Sequence, residues 1–284
     1  MKIAVVGASG LVGGSLFEEL LRFFPGADVI GTYHTHPFDK GMALDITRQE
    51  EIGRFMEVFT PDVVIWLAGS KNLTQLEGNP QLGYLLNEMP VIDLLKVLEG
   101  SPKSEKLIYI SSDYVFDGQS GSYRSTDRPS PDTVYGKTKA FAEDRILEST
   151  VEAVCLRTAA IMNPRGGFMG WLLNQLRSDR VVSLYSNTIF SPTASSSFNR
   201  AICRIIERSL WGGVLHFAGP AMSRYDFGRL VVGLLGKDIS CIRPDLADIE
   251  HSTFHKDLSL ITSDELIDLV PDERELKDEL SRND

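Results

Sequence analysis

The sequence predicts an α/β fold: a Rossmann-type doubly wound parallel sheet with a small C-terminal substrate-binding lobe. Three observations carry that prediction. Short apolar, β-branched runs alternate with amphipathic stretches through the first half of the chain, the pattern of repeated βα units. Gly7, Gly10 and Gly13 follow the first apolar run and open the first amphipathic stretch, as in a dinucleotide-binding turn. After about Thr158 the alternation loosens, which marks a change of architecture.

The elements follow in order. "KIAVV" is continuous, β-branched and ended by glycine, a strand of the buried parallel kind. "LVGGSLFEELLRFF" is a helix stopped at Pro25 and Gly26. "DVIGTY" is a second strand. "TRQEEIGRFMEVF" is a helix opened by Thr47, with acids in its first turn. "PDVVIWLAG" is a third strand, and "PQLGYLLNEMPVIDLLKVLE" is helical with a break expected at Pro90. "KLIYISS" is a fourth strand, residues 131–149 are helical, and "EAVCLRT" is a fifth strand. Helices "RGGFMGWLLNQLRS", "SSFNRAICRIIERSL" and "SRYDFGRLVVGLLG" and short strands "RVVSLYS" and "GVLHFAG" build the lobe. The expected division is a dinucleotide-binding domain over 1–158 and a lobe over 159–284, with some return to the first domain and an acidic tail. Ligands of such sheets bind outside the carboxyl ends of the strands.

Composition narrows the classes. The 284 residues are 43% apolar and 24% charged, an ordinary globular balance. A formal net charge of -10 argues against nucleic acid or an anionic membrane as partner. The stretch from Ser263 onward carries -6 of it, leaving -4 for the rest, and reads as a solvated helix with a frayed end. Cys155, Cys203 and Cys241 are odd in number and far apart, so a reducing cytoplasm is expected rather than a disulfide framework. No stretch approaches the ~20 apolar residues of a membrane span, and glycines interrupt the amino-terminal run, so it is not read as a signal peptide.

The glycine turn sets the first candidate site. Gly7 permits the tight turn, Gly10 lets backbone approach a pyrophosphate, and Gly13 lets the helix pack close to the sheet. Amides of Leu11 and Val12 at the helix start, with the Ser9 hydroxyl, complete the cradle. The plainer reading is a tight strand-to-helix turn and nothing more. At the end of the second strand, "GTYHTHP" has no acid before Asp39 to accept a ribose 2′-hydroxyl. Thr32, His34, Thr35 and His36 can donate to a 2′-phosphate, although no arginine stands in the stretch. NADP(H) is therefore favoured over NAD(H). Asp45 and Ile46 sit where such folds meet the adenine ring, unless they are only a turn and helix cap.

The second candidate site is catalytic. Tyr135 and Lys139 are four residues apart on a predicted helix and so share a face. A phenol titrates near 10 when alone; Lys139 and an oxidised nicotinamide, both positive, would lower it. Tyr135 can then give a proton to a carbonyl oxygen while the nicotinamide gives hydride to the carbon. Ser111 and Ser112, at the close of the fourth strand, supply a hydroxyl to hold the same oxygen. An exposed Tyr–Lys pair is the competing explanation for that spacing alone.

"GASGLVG", "SSDYVFDG" and "VYGKTKAFAE" together resemble the extended short-chain dehydrogenase/reductases, and within them the dTDP-4-dehydrorhamnose reductase branch. "GGVLHFAGPAMSRYDFG" and "RPDLADIEHSTFHKDLSL" extend the likeness along most of the chain. The resemblance implies a triad of Ser112, Tyr135 and Lys139. It implies cofactor contacts at Leu67, Ala68 and Gly69, at Asn87, and at Arg157 with Thr158, and it matches Pro192 and Thr193 to a "PT" in the lobe. It departs at "WLAGSKN" with Trp66, at "RTAAIMN" with Ala160 and at "ASSSFN". Those positions are expected to border the substrate, so the proton and cofactor machinery matches while the sugar-binding surface differs.

The first reading is an NADP(H)-dependent reductase of a keto group on a sugar, nucleotide-linked by analogy with the branch. The second is an epimerase or dehydratase with tightly held NAD+, for which Asp113 and Glu88 are the extra acid or base. The third is a non-catalytic relative that binds another enzyme, as the methionine adenosyltransferase regulatory subunit does. Small-molecule binding is expected in the first two, and the family is often dimeric, so a homodimer is allowed. His216, His251 and His255 lack metal-ligand spacing, Trp171 and Trp211 read as packing residues, and Ser195 to Ser197 lack a hydrolase context.

Overall fold

The computed structural model describes residues 1–178, 180–249, 255–271 and Lys277. Strand β1, Lys2–Val6, is buried at four of its five residues. Helix α1, Leu11–Phe23, turns Leu16, Phe17 and Leu20 inward, the spacing of one helix face. Strands β2, Asp28–Tyr33, and β3, Gly41–Ala43, lead to helix α2, Gln49–Phe59, which buries Ile52, Phe55, Met56 and Phe59. Thr47 is not its cap. The cap is Arg48 without a side-chain bond, because the Thr47 hydroxyl donates instead to Asp45 Oδ1 at 2.7 Å.

Strand β4, Val63–Trp66, precedes helix α3, Leu73–Gly78, helix α4, Pro80–Gly83, a π-helical turn at Tyr84–Glu88, and helix α5, Met89–Glu99. Pro90 causes no break. It stands in the first turn of α5, where its missing N–H is not needed. Strand β5, Lys106–Ser112, ends in a single 3-10 turn at Asp113–Val115. Helix α6, Val134–Glu148, is capped by Thr133, whose hydroxyl accepts from the Gly136 amide at 3.0 Å. Strand β6 is Glu152–Thr158.

The later elements are β7 (Ile161–Met162), α7 (Gly167–Leu176), β8 (Val182–Tyr185), β9 (Ile189–Phe190), β10 (Thr193–Ala194), α8 (Ser195–Glu207), β11 (Val214–Phe217), β12 (Met222–Ser223), α9 (Arg224–Leu234) and β13 (Ile242–Asp245). One sheet runs in the order β11-β6-β5-β4-β1-β2-β3, and three two-stranded ladders join β10 to β7, β12 to β9 and β13 to β8. The doubly wound prediction is met, with two strands more than the five expected. The sequence assigns "GVLHFAG" to the lobe, whereas β11 extends the main sheet. Its approach is fixed by bonds from the Cys155 amide to the Gly213 carbonyl at 3.0 Å and from the Gly212 amide to the Ala153 carbonyl at 2.9 Å.

The pairings β1–β2, β1–β4, β2–β3 and β4–β5 are parallel. Their carboxyl ends therefore share one edge, where Gly7, Leu67 and Ser112 emerge. On one face of the sheet, α2, α5 and α6 cover Ala4, Val6, Val64, Trp66, Leu107, Tyr109 and Cys155. Trp66 and Tyr109 are direct partners across β4 and β5, and each is 1% exposed.

The chain divides into two compact units, neither continuous in sequence. The first is Met1–Val115, Arg128–Arg157 and Ile202–Leu215; the second takes in Phe116–Asp127, Thr158–Ala201 and the described residues from His216 onward. Within the second unit, Phe116 stacks on Tyr123 at 4.1 Å between centroids. Tyr123 donates its amide to the Ser259 carbonyl at 2.9 Å and accepts from the Ile261 amide at 2.8 Å. A separate apolar cluster gathers Met169, Leu172, Leu184, Phe190, Phe227 and Val231. Among the described residues no helix is long and apolar enough to cross a membrane.

Candidate active site

Gly7 closes β1 at φ 94°, a conformation that strains any side chain. A Cβ on Gly13 would lie 2.2 Å from the Gly7 carbonyl oxygen, so α1 presses on this turn as only glycine permits. Gly10 caps α1 with no side-chain oxygen, and no acid stands in the first turn. The positive end of a 13-residue helix is thus left without a carboxylate of its own, as a phosphate site requires. Ser9 and Leu11 are exposed and Val12 is half-buried beside it. Thr32 does not serve as a free phosphate donor. It is buried, and its hydroxyl oxygen accepts from the Gly7 amide at 3.1 Å, bracing the turn.

Beyond β2 the structure supplies what the strand-end stretch lacks. Arg48, at the start of α2, brings Nε to 3.5 Å from Asp45 Oδ2, and His34 Nε2 lies 4.0 Å from the same oxygen. Two basic groups from separate segments therefore flank the predicted adenosine end. Nothing in the strand-end stretch itself signals Arg48, which comes from the start of the next helix. Hydrogen bonds from Thr47, then the charges of His34 and Arg48, hold the Asp45 carboxyl below its usual range against the opposing effect of burial. Ile46 is half-buried and packs against the sheet's core cluster. Thr35 and His36 are exposed and bonded to each other at 2.8 Å.

After β4, the Leu67 amide donates to the Val6 carbonyl at 3.0 Å, Ala68 packs on the core, and Gly69 takes φ 138°. Asn87 projects from the π-helical turn, a device common at functional sites. Its Oδ1 accepts from the Ser70 amide at 2.7 Å, and its Nδ2 donates to the Ser70 carbonyl and to Thr138 Oγ1, each at 3.0 Å. Asn87 thus ties the loop after β4 to α6, between Tyr135 and Lys139. Trp66, expected to border the substrate, lies in the core with Tyr109, since a strand buried on both faces hides which of its residues line the site.

The Ser112 hydroxyl donates to Asp113 Oδ1 at 2.8 Å, and its oxygen accepts from the Tyr114 amide at 3.3 Å. The Tyr135 ring meets the edge of Tyr114 at 5.7 Å. What brings the phenol here is Gly136. A Cβ on that residue would lie 1.9 Å from the Tyr114 carbonyl oxygen, so the first turn of α6 rests directly on the turn that follows Ser112.

The electrostatics differ from expectation. Burial pushes the Tyr135 phenol well above its ordinary value; Ser112 pulls it back, and the charge of Asp113 pushes it further. Lys139 does not turn toward the phenol. Its Nζ donates to the Ile110 carbonyl at 2.9 Å and lies 4.6 Å from the centre of the Tyr109 ring. Burial lowers the Lys139 ammonium to about 8, opposed chiefly by Glu143. Arg157 is likewise redirected. It is 2% exposed and holds Glu143 through Nε, at 3.0 and 3.1 Å, and Nη2, at 2.7 Å. It shares a strand face with Cys155, which points to α6, and not the face of Thr158. The buried hydroxyls of Ser111 and Thr158 have no hydrogen-bond partner among the described residues.

Other residues stay apart from this arrangement. His216 Nδ1 lies 3.2 Å from the Tyr123 carbonyl in the second unit, and His251 lies outside the described residues. No group of three metal-ligating side chains occurs among the described residues. Trp171, expected to be a packing residue, stacks on Phe168 but remains 43% exposed. Ala160 packs against the second unit's cluster, Thr193 is buried, and Ser197 accepts from Arg200 at 3.0 Å.

In the first unit, a glycine turn without a capping side chain and the partnerless hydroxyl of Ser111 at a strand's carboxyl end suit a dinucleotide. Comparisons with known proteins agree at the level of family. The chain is 29% identical to a dTDP-4-dehydrorhamnose reductase of Aggregatibacter actinomycetemcomitans over 80% of this chain and 76% of that one. It is 33% identical to methionine adenosyltransferase 2 subunit beta of Rattus norvegicus over 86% and 75%. Its fold matches the crystal structure of a Bacillus anthracis dTDP-4-dehydrorhamnose reductase in complex with NADP, with a TM-score of 0.84, 23% identity, and 99% and 97% of the two chains covered. The model of the RmlD substrate binding domain family matches residues 1–256. With nearly the whole chain accounted for in this way, the protein belongs to that family of extended short-chain dehydrogenase/reductases.

Proposed function

We propose that the protein is an NADP(H)-dependent reductase of a keto group on a sugar, with nucleotide-linked sugars as the substrate class. The observation that carries this reading is that the first turn of α6 rests directly on the turn after Ser112, with the Tyr135 ring edge-on to Tyr114 and Lys139 one helical turn further along α6. Bound nicotinamide would supply hydride to the carbonyl carbon. Tyr135 holds the proton for the oxygen at its phenol Oη. Its raised pKa suits that direction, because the phenol keeps its proton until a stronger base, the developing alkoxide, takes it. Ser112 now donates to Asp113; in catalysis the same proton turns to the carbonyl oxygen and orients it. Lys139, docked on the Ile110 carbonyl one helical turn along α6, keeps further N–H donors for a ribose hydroxyl.

Gly7, Gly10, Leu11 and Val12 would hold the pyrophosphate, Asp45 and Ile46 the adenine, and Ser111 the nicotinamide half. Arg48 and His34 favour a 2′-phosphate, and with it NADP(H) over NAD(H). Asn87 and Arg157 act by positioning rather than by touching the cofactor. The second unit is read as the substrate-recognising lobe, and the free thiols of Cys155, Cys203 and Cys241 suit a cytoplasmic setting.

The test is NADPH oxidation against a panel of nucleotide-linked 4-keto sugars, with Tyr135→Phe as control. Turnover that the variant loses by at least 100-fold supports the reading; no turnover with any member sinks it. A second reading rests on the 33% identity to a methionine adenosyltransferase subunit. Binding to a methionine adenosyltransferase catalytic subunit, unchanged in Tyr135→Phe, together with no turnover, would establish it instead. For an epimerase or dehydratase, Asp113 is already engaged by Ser112, and Glu88, raised by burial, is the remaining acid.

A further inference from the structure

Three ionisable groups are buried in succession beneath α6. Lys139 and Glu143 are one helical turn apart, and Arg157 reaches Glu143 from β6; they are 7%, 1% and 2% exposed. A buried ion pair is weak evidence for stability, since well-packed apolar residues often replace one at no cost. The Arg157–Glu143 pair is therefore unexplained by packing alone, and its neighbour supplies a reason. Among the described residues Lys139 is a cation with one side-chain hydrogen bond, to the Ile110 carbonyl, and a ring beneath it. Burial drives such a group to shed its proton.

The titratable groups around Lys139 are Tyr135 and Glu143 on its own helix, Tyr109 on β5, Asp113 after β5, Cys155 and Arg157 on β6, and Glu88 in the π-helical turn. Glu143 and Cys155 are the two that favour the charged lysine. The Cys155 thiol is itself pushed far up by burial and stays neutral. Glu143 is thus the negative charge that counts.

From this geometry we infer that Glu143, clamped by Arg157, is a positioning residue that keeps the Lys139 side chain a docked cation on Ile110 and Tyr109. Arg157 takes both carboxylate oxygens, so Glu143 acts on Lys139 through its charge rather than by direct contact. The clamp stops Glu143 from swinging toward the lysine and pulling it off the Ile110 carbonyl. This role rests on the proposed reductase mechanism for its purpose, but its physical content does not need turnover.

The test is an NMR titration of lysine 13Cε signals in the full chain, with the Lys139 signal identified by its loss in Lys139→Arg. In Glu143→Gln the Lys139 midpoint should fall by about one pH unit, a tenfold change in the proton equilibrium. Glu143→Asp should restore most of the shift. If Glu143→Gln does not fold, the double variant Glu143→Gln/Arg157→Gln removes both charges and should still lower the midpoint. An unchanged midpoint in whichever variant folds overturns the inference, leaving only a tie between helix and strand. If wild type shows no turnover but the midpoint moves, the reductase reading fails and the charge-holding role stands. If turnover exists, its alkaline limb should move with the midpoint.

Discussion

Replacing Gly136 with alanine tests how α6 delivers its phenol. In an open helix the change from glycine to alanine stabilises by about 1 kcal/mol. At Gly136 the new Cβ would lie 1.9 Å from the Tyr114 carbonyl oxygen, 2.9 Å from the Tyr114 carbonyl carbon and 3.0 Å from Pro131 Cβ. The nearest atoms are backbone, so no side chain can swing aside. An ordinary carbon–oxygen contact needs roughly 3.3 Å, and α6 must therefore lift from the turn after Ser112 by about 1.4 Å. Overpacking of this kind costs about 1–3 kcal/mol. Set against the helix gain, the net loss is about 0–2 kcal/mol, or a Tm lowered by up to about 8 °C for a chain of this size. A displacement near 1 Å at the reacting groups costs on the order of 100-fold in turnover. Gly53→Ala in α2 is the control, since its Cβ would meet nothing closer than Val97 Cγ2 at 4.0 Å, and it should raise Tm. Thermal unfolding followed by circular dichroism, alongside NADPH oxidation, reads both effects. If Gly136→Ala melts as high as Gly53→Ala and keeps full turnover, close contact with Tyr114 does not set the Tyr135 position.

Three further outcomes follow from the same region. The Tyr109 hydroxyl is buried without a hydrogen-bond partner among the described residues, so Tyr109→Phe should stabilise by about 1 kcal/mol; a lower Tm would show that the hydroxyl is satisfied after all. Lys139→Met should melt higher than wild type at pH 7, and the gap should close as pH rises from about 8 toward the lysine's ordinary 10.5. In that window the unfolded chain holds a proton that the folded chain has released, so only wild type gains stability with pH; a gap independent of pH would contradict the depressed value. Arg48→Ala should weaken NADPH binding by about tenfold, the worth of one charge-assisted contact, and leave NADH nearly unaffected. Equal losses for both would remove Arg48 from the 2′-phosphate.

Local chemistry made much of this molecule legible. β1, its glycine turn and α1 follow from a continuous buried run and three spaced glycines, and β5 from an apolar run closed by two serines. What stayed hidden depends on partners distant in sequence. β11 is a short apolar strand whose place beside β6 is decided by pairing, not propensity. Trp66 lies in a strand buried on both faces, where alternation carries no signal. Lys139 and Arg157 were matched by position to a cofactor site, yet one lies on Ile110 and Tyr109 and the other on Glu143, directions that spacing alone does not encode. Arg48 was missed because a helix start brings it back toward the end of another strand.

The interleaving of the two units has a bearing on anyone who would recombine this chain with a relative. Residues 116–127 belong with the second unit, and Tyr123 there is held by Ser259 and Ile261; residues 202–215 belong with the first. A single crossover near 158 would strand both inserts in foreign surroundings. A chimera that exchanges the second unit while keeping the first has to graft three stretches at once, so recombination by one junction is a poor route to new members of this family.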